Sequence, residues 1–447
     1  MIDEKGATEE EPPSTGQEVI PDAIERMAMG ELPRIWMVIL IGFVAILFTI
    51  VWLNAYLFLN DAIWKNSFVM NNHWTLPAGA LLFSLLVGLS EKYLDAPNAI
   101  KGSLVDSIKG GEELSYRRFP GTLVSSFCSL LSGVSVGPEG PLGFLVQEIA
   151  GWIEDKLRIV KESRLGFKVA ALASAYNGIV GTPLFTAVLA TEIGVGKRDR
   201  LLYLGWNLLA GVIGYFVFVL LGFHSFLGEI PFPPIRSNEV VYIVYAIILG
   251  GVGTMLTLFV VSSFRLSGKL MARFSDRVVL RTLIAGAITA SIIYFFPEVS
   301  FSGENQIHQI VDNATQYGVA MLLLFTVLKV LLLGLALKGG FLGGPIFPTL
   351  FACTTLSLAI GLVFPDVPII IIVLCIEGAA FTLLLGGPLT AILLVGAVAS
   401  EGLVETYLTG LIVVAIVTSM LIGMVARRIM TRRGARTSGR PEGGGPA

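Results

Sequence analysis

The sequence predicts an all-α, polytopic membrane protein, an inverted-repeat bundle in which several helices break off at membrane depth. Of 447 residues, 54% are hydrophobic and 14% charged, and the mean hydropathy is +0.78, so water is not the main solvent of this chain. Apolar stretches recur at the length needed to cross a hydrocarbon core of roughly 30 Å. Fifty Gly and 21 Pro fall in clusters that repeat at almost one spacing, the mark of a duplicated unit.

In chain order, residues 1–34 are an acidic extension carrying Asp3, Glu4, Glu9, Glu10, Glu11, Glu18, Asp22, Glu25 and Glu31, with no apolar core of a signal peptide. Such a segment buries too little apolar surface to offset its ordering entropy and is expected to be disordered. Residues 35–228 form a first membrane repeat and 229–430 a second. Stretches 35–59, 201–221, 240–261 and 408–425 read as spans. Stretches 123–136, 141–153 and 342–363 read as too short or too interrupted for simple spans. Lipid leaves no backbone group unsatisfied, so broken helices survive only where protein or a water-filled cavity covers them, which points to a transport pathway. Residues 431–447 read as a basic, Gly-rich flexible tail.

Arg427, Arg428, Arg432, Arg433, Arg436 and Arg440 put the C-terminus in the cytoplasm by the positive-inside rule, and the N-terminus is expected on the same side of the cell membrane. Further cytoplasmic connections are expected at Lys156, Arg158, Lys161, Arg164 and Lys168, at Lys197, Arg198 and Arg200, and at Arg265, Lys269, Arg273, Arg277 and Arg281. Each of these charges, taken singly, reads as part of a solvated face. Cys128, Cys353 and Cys375 sit in apolar surroundings without ligand spacing, and His73, His224 and His308 lie far apart. No disulfide framework, metal site, cofactor or nucleic-acid partner is expected.

Three segment pairs line up between the halves. Asn98 and Ile100 match Asn305 and Ile307 at an offset of 207 (305 − 98), and Gly137-Pro-Glu-Gly-Pro141 matches Gly344-Pro-Ile-Phe-Pro348 at the same offset (344 − 137). Gly181-Thr-Pro-Leu-Phe-Thr-Ala187 resembles Gly386-Gly-Pro-Leu-Thr-Ala391, with prolines 205 apart (388 − 183). Each cluster can start a helix, because Pro in the first turn leaves no bond unmade and Gly permits close backbone approach. Such starts carry unpaired N–H groups and the positive end of the helix dipole, which favour a negative ligand. Inverted-repeat transporters aim half-helix N-termini at their anions in this way. A small inorganic anion, in contact with the lipid-embedded helices, is therefore the expected partner.

Gly137-Pro-Glu-Gly-Pro141 resembles the Gly-(Lys/Arg)-Glu-Gly-Pro signature of the CLC chloride channel and transporter family, with Pro138 in place of the basic residue. Gly181-Thr-Pro-Leu184 through Glu192 looks like the family's Asn-x-Pro-Leu followed by a glutamate, with Gly181 replacing the asparagine. Gly343-Gly-Pro-Ile-Phe-Pro-Thr-Leu350 is similar to Gly-Gly-x-Phe-x-Pro-x-Leu, and Pro388-Leu-Thr resembles Ala-Pro-Leu-Thr-Gly. The resemblance covers roughly residues 90 to 425 and implies a CLC-like bundle, a homodimer with one pore per subunit, and transport of chloride or a similar anion. The chain is expected to be a divergent prokaryotic-type member without the CBS domains that many members add.

What the resemblance implies for the residues is specific. Glu139 matches the gating glutamate. The ion-binding positions fall on Asp95, Ala96 and Asn98, on Gly137 and Gly140, on Gly344, Ile346 and Phe347, and on Tyr407, which stands for the family's pore tyrosine across a gap. Asp95 takes the place of a chloride-coordinating serine, and Pro345 removes an amide from the second-half motif. Glu192 is the proton-relay candidate, but the usual relay position is Ile193, which cannot carry a proton, so classical proton antiport is not expected. The alternative is a cation or other small-solute transporter that uses Asp95 as its ligand. An intramembrane enzyme is disfavoured, because Glu139, Glu148, Glu192 and Glu377 are dispersed and lack a His or Cys partner pattern.

Overall fold

A computed structural model describes residues 35–98, 115–159, 161–194, 200–223, 239–398 and 406–438. The acidic extension expected over 1–34, and the basic residues Lys197 and Arg198, lie outside the described residues. The helices of eight residues or more are α1 (Ile35–Trp64), α2 (Thr75–Tyr93), α3 (Phe119–Leu131), α4 (Glu139–Leu157), α5 (Lys161–Val180), α6 (Phe185–Glu192) and α7 (Arg200–Leu220). They continue as α8 (Val241–Met271), α9 (Val278–Phe295), α10 (Glu304–Asp312), α11 (Ala314–Gly339), α12 (Ile346–Val363), α13 (Ile369–Leu385), α14 (Pro388–Val398) and α15 (Thr406–Ser438). Among the described residues there is no β-strand, only one isolated antiparallel bridge between Gly137 and Gly344.

Among the described residues, seven helices are long and apolar enough to cross a membrane, in α1, α7, α8, α9, α11, α12 and α15. Their apolar character is not confined to one stripe. In α1, Ile41, Ala45, Trp52, Leu53 and Tyr56 are buried while Phe43, Leu47, Val51 and Phe58 are exposed, the pattern of a helix with protein on one side and lipid on the other. Two expectations need correction. Residues 342–363 were expected to be too interrupted for a span, but α12 runs unbroken through Ile346–Val363 and qualifies as one, because Pro348 falls in its first turn, where no intrahelical bond is lost. The tail expected from residue 431 is helical as far as Ser438, because Arg432, Arg433, Ala435 and Arg436 are good helix formers and carry the helix through Gly434.

The packing repeats between the halves. Helices α1, α5 and α7 pack on one another, and so do α8, α13 and α15. The two halves meet through matched helices: α2 lies along α9 and α6 meets α14. Small residues let α2 and α9 approach, with a Cβ on Gly88 falling 2.8 Å from Val279 Cα. Close approach by small residues replaces the hydrophobic driving force that lipid does not supply.

Candidate functional site

Helices α4 and α12 begin alike. Pro138 caps α4 and Pro345 caps α12, and Pro141 and Pro348 follow inside the first turns. The caps face each other: Gly137 N–H donates to Gly344 C=O and Gly344 N–H to Gly137 C=O, each at 2.9 Å. Residues that match at the offset of 207 thus pair with each other, so a local two-fold relation passes through this bridge and both helix starts are turned inward onto one place. Gly140 completes the approach, because a Cβ there would run into the backbone of Gly343 and Gly344.

Glu139 is the first residue of α4 and is buried. Its Oε1 accepts the Ile346 amide at 2.6 Å, and the Phe347 amide faces the same carboxyl. Oε2 makes no hydrogen bond with the described residues. The carboxyl therefore occupies donors at the N-terminus of α12, where the dipole favours any negative group. From α5, Tyr176 Oη donates to the Glu139 carbonyl at 2.6 Å and fastens the first turn. Gly137, Gly140, Gly344, Ile346 and Phe347 are thus brought together around Glu139.

The remaining sequence candidates are placed elsewhere. Asp95 adopts φ 52°, a left-handed conformation that Asp tolerates, and its exposed carboxylate pairs with Arg118 at 2.7 Å. Ala96 and Asn98 are buried, and the Asn98 amide donates to Glu91. Tyr407 lies at the start of α15, and its hydroxyl donates to the Glu239 carbonyl at 2.5 Å. No hydrogen bond or ion pair among the described residues joins these side chains to Glu139.

Glu192 ends α6 with both oxygens engaged on the first turn of α14. Oε1 accepts from Leu389 N at 2.8 Å, and Oε2 from Thr390 N at 2.9 Å and Thr390 Oγ1 at 2.6 Å. Ile193 follows as the C-terminal cap of α6. The cap that Gly181 has no side chain to provide comes from Asn177: its amide donates to Pro183 C=O at 2.6 Å and its carbonyl accepts from Thr186 N at 2.9 Å. Glu148 and Glu377 are fully buried but separate, held by Thr122 at 2.7 Å and Thr354 at 3.3 Å.

Sequence reasoning missed three sets of residues here. Tyr176 carries no spacing signal that links it to Glu139. Lys329, fully buried in α11, donates to the carbonyls of Val299, Ser300 and Phe301 at 3.2, 3.1 and 2.7 Å; a lone lysine inside an apolar run was the available signal. Arg281, expected on a solvated face, is 4% exposed and pairs with Glu91 at 2.6 Å, because α9 carries it inward against α2.

Comparison with known proteins follows the same lines. A family model described as "Voltage gated chloride channel" matches residues 83–422. An uncharacterized protein of Methanocaldococcus jannaschii is 24% identical over 276 residues, 60% of this chain and 68% of that one. The crystal structure of a slow cyanobacterial Cl−/H+ antiporter superposes with a TM-score of 0.71 at 22% identity, covering 90% of this chain and 99% of that one. A CLC-type fluoride/proton antiporter gives 0.68 at 18% identity, covering 89% and 96%.

Proposed function

Because this chain belongs to the voltage-gated chloride channel (CLC) family, a family of membrane anion channels and transporters, we propose that it moves a small inorganic anion, chloride foremost, with Glu139 as the gate. The observation that carries this reading is the Glu139 carboxyl on the Ile346 amide where two inward-facing helix starts meet. A carboxylate and a permeating anion compete there for one set of donors. With Glu139 ionised and seated, the donors are taken; when it protonates or swings away, they are free for the anion. Flux therefore rises as pH falls.

Ion flux from purified protein in liposomes tests this. Glu139→Gln keeps the size and removes the charge, so flux increases several-fold or loses its dependence on pH. Folded Glu139→Gln protein with unchanged rate and unchanged pH dependence refutes the gate. Comparing chloride, fluoride, nitrate and cations in the same assay gives the ion order. The Asp95–Arg118 pair argues against the cation alternative, since the carboxylate that would bind the cation already has a partner.

The same reading takes transport to proceed without fixed proton exchange. Isoleucine stands at the usual relay position, and the neighbouring Glu192 has both oxygens committed to the α14 helix start. Uphill proton movement driven by an anion gradient in leak-free vesicles would overturn it. A homodimer in the cell membrane, with both termini cytoplasmic, completes the proposal.

A further inference from the structure

The two segments that the sequence singles out for ion binding, 95–98 in the first half and 343–347 in the second, are separate in the chain and share no direct hydrogen bond among the described residues. One buried cluster reaches both. Arg281, in the first turn of α9, pairs with Glu91 of α2 through one terminal guanidinium nitrogen, which stands 2.8 Å from Oε1 and 2.6 Å from Oε2. The side chains are 5% and 10% exposed. The Arg281 Nε–H donates to the Gly339 carbonyl at 3.1 Å, at the end of α11. From the other side, the Asn98 amide donates to Glu91 Oε1.

The chain leaving α11 is moulded to this pair. Gly340 has φ +106°, and a Cβ there would lie 2.7 Å from an Arg281 nitrogen and 3.1 Å from Glu91 Oε2. Four residues later comes Gly344, whose carbonyl and amide pair with Gly137, and then Ile346, whose amide holds Glu139. Segment 95–98 has its other end tied as well, by Asp95 to Arg118. A guanidinium suits this place, because one terminal nitrogen meets both carboxylate oxygens while Nε, held at a fixed offset in the same plane, donates to the Gly339 carbonyl, an offset that the single nitrogen of a lysine does not provide.

We infer that Arg281 and Glu91 form a positioning clamp that sets the 95–98 segment and the 340–346 segment relative to each other, and so fixes the geometry in which an anion is bound. Arg281 and Glu91 themselves touch no ion. This rests on the proposed transport function, in that the effect appears in anion affinity rather than in the chemistry of the gate.

The test uses full-length protein with Arg281→Lys and, as a change that keeps side-chain size, Glu91→Gln, reconstituted in liposomes. Hydrogen exchange is followed at residues 92–98 and 339–346, and anion flux is measured against anion concentration. The clamp predicts that each variant speeds exchange in both segments by about tenfold or more. It also predicts a rise of several-fold in the half-saturating anion concentration with little change in maximal rate, and effects in the double variant that fall short of the product of the singles. Exchange that quickens in only one of the two segments, or unchanged half-saturation in folded variants, overturns the clamp as a positioning device. Wild-type protein that moves no anion overturns the transport function alone, since the exchange at the two segments still decides whether they are linked.

Discussion

Tyr176 bears on Glu139 through the backbone: its hydroxyl donates to the Glu139 carbonyl in the first turn of α4. Tyr176→Phe removes one buried hydrogen bond, at a cost of about 0.5–1.5 kcal/mol. The expected result is a lower thermal midpoint in detergent together with an altered pH dependence of flux, because the turn that aims Glu139 is loosened. Lys329 is the larger liability. Its ammonium serves three carbonyls of the 299–301 turn and lies 4.6 Å from the centre of the Phe351 ring. Lys329→Met keeps the stem and removes the donors, leaving the three carbonyls without their ammonium partner, at about 1–3 kcal/mol for each carbonyl left unsatisfied. Thermal unfolding of Lys329→Met should show the largest drop of the single substitutions named here. Glu139 was legible in the sequence because Pro138, Gly140 and Pro141 surround it and state a helix start locally. Arg281 was not, because its partner Glu91 is 190 residues away, and an arginine in a basic run reads as solvated until its surroundings are known.

At the scale of elements, function depends on where helices start and on what occupies those starts. Glu139 occupies α12 and Glu192 occupies α14, so one carboxylate from the first half sits on each of two second-half helices. The occupancies differ in kind. Glu192 has both oxygens bonded and stays as a cap, whereas Glu139 leaves one oxygen unbonded and can exchange. Glu192→Ala should cost about 0.5–2 kcal/mol, the range for a lost N-cap, and should leave anion flux in place, which a thermal melt paired with a flux assay checks. Gly140→Ala should act in the opposite way. Its Cβ would press on the Gly343–Gly344 backbone, an overpacking cost of about 1–3 kcal/mol, and by parting α4 from α12 it should lower flux by about tenfold while much of the fold survives. The prolines and glycines that punctuate these starts were readable at once; which acid caps which helix was not, since 197 and 207 residues separate the partners.

For the whole molecule, two matched trios, α1 with α5 and α7 and α8 with α13 and α15, flank a seam where α2 meets α9, α4 meets α12 and α6 meets α14. One chain thereby contains both halves of the candidate site. Exposed apolar side chains along α8 and α15, among them Val244, Ile248, Met255, Val417 and Leu421, need lipid or a second copy against them. If the protein is a homodimer with independent pores, crosslinking in membranes yields a two-subunit species, and a tandem of wild-type and Glu139→Gln subunits conducts as the sum of the two. A tandem that follows one subunit only argues against independent pores.

The sequence by itself determined the all-α membrane class, most of the spans, the offset of 207 between the halves and the place of the helix starts at Gly137 and Gly344. Apolar run length, Pro and Gly act on the nearest turn of chain, so their consequences can be read from neighbours alone. Tertiary structure decided that Gly137 pairs with Gly344, that Glu139 sits on α12 while Glu192 caps α14, that Asp95 is paired with Arg118, and that Arg281 is buried. These depend on which surfaces the closed bundle brings within hydrogen-bonding distance, and a charge in a sequence does not carry its own burial.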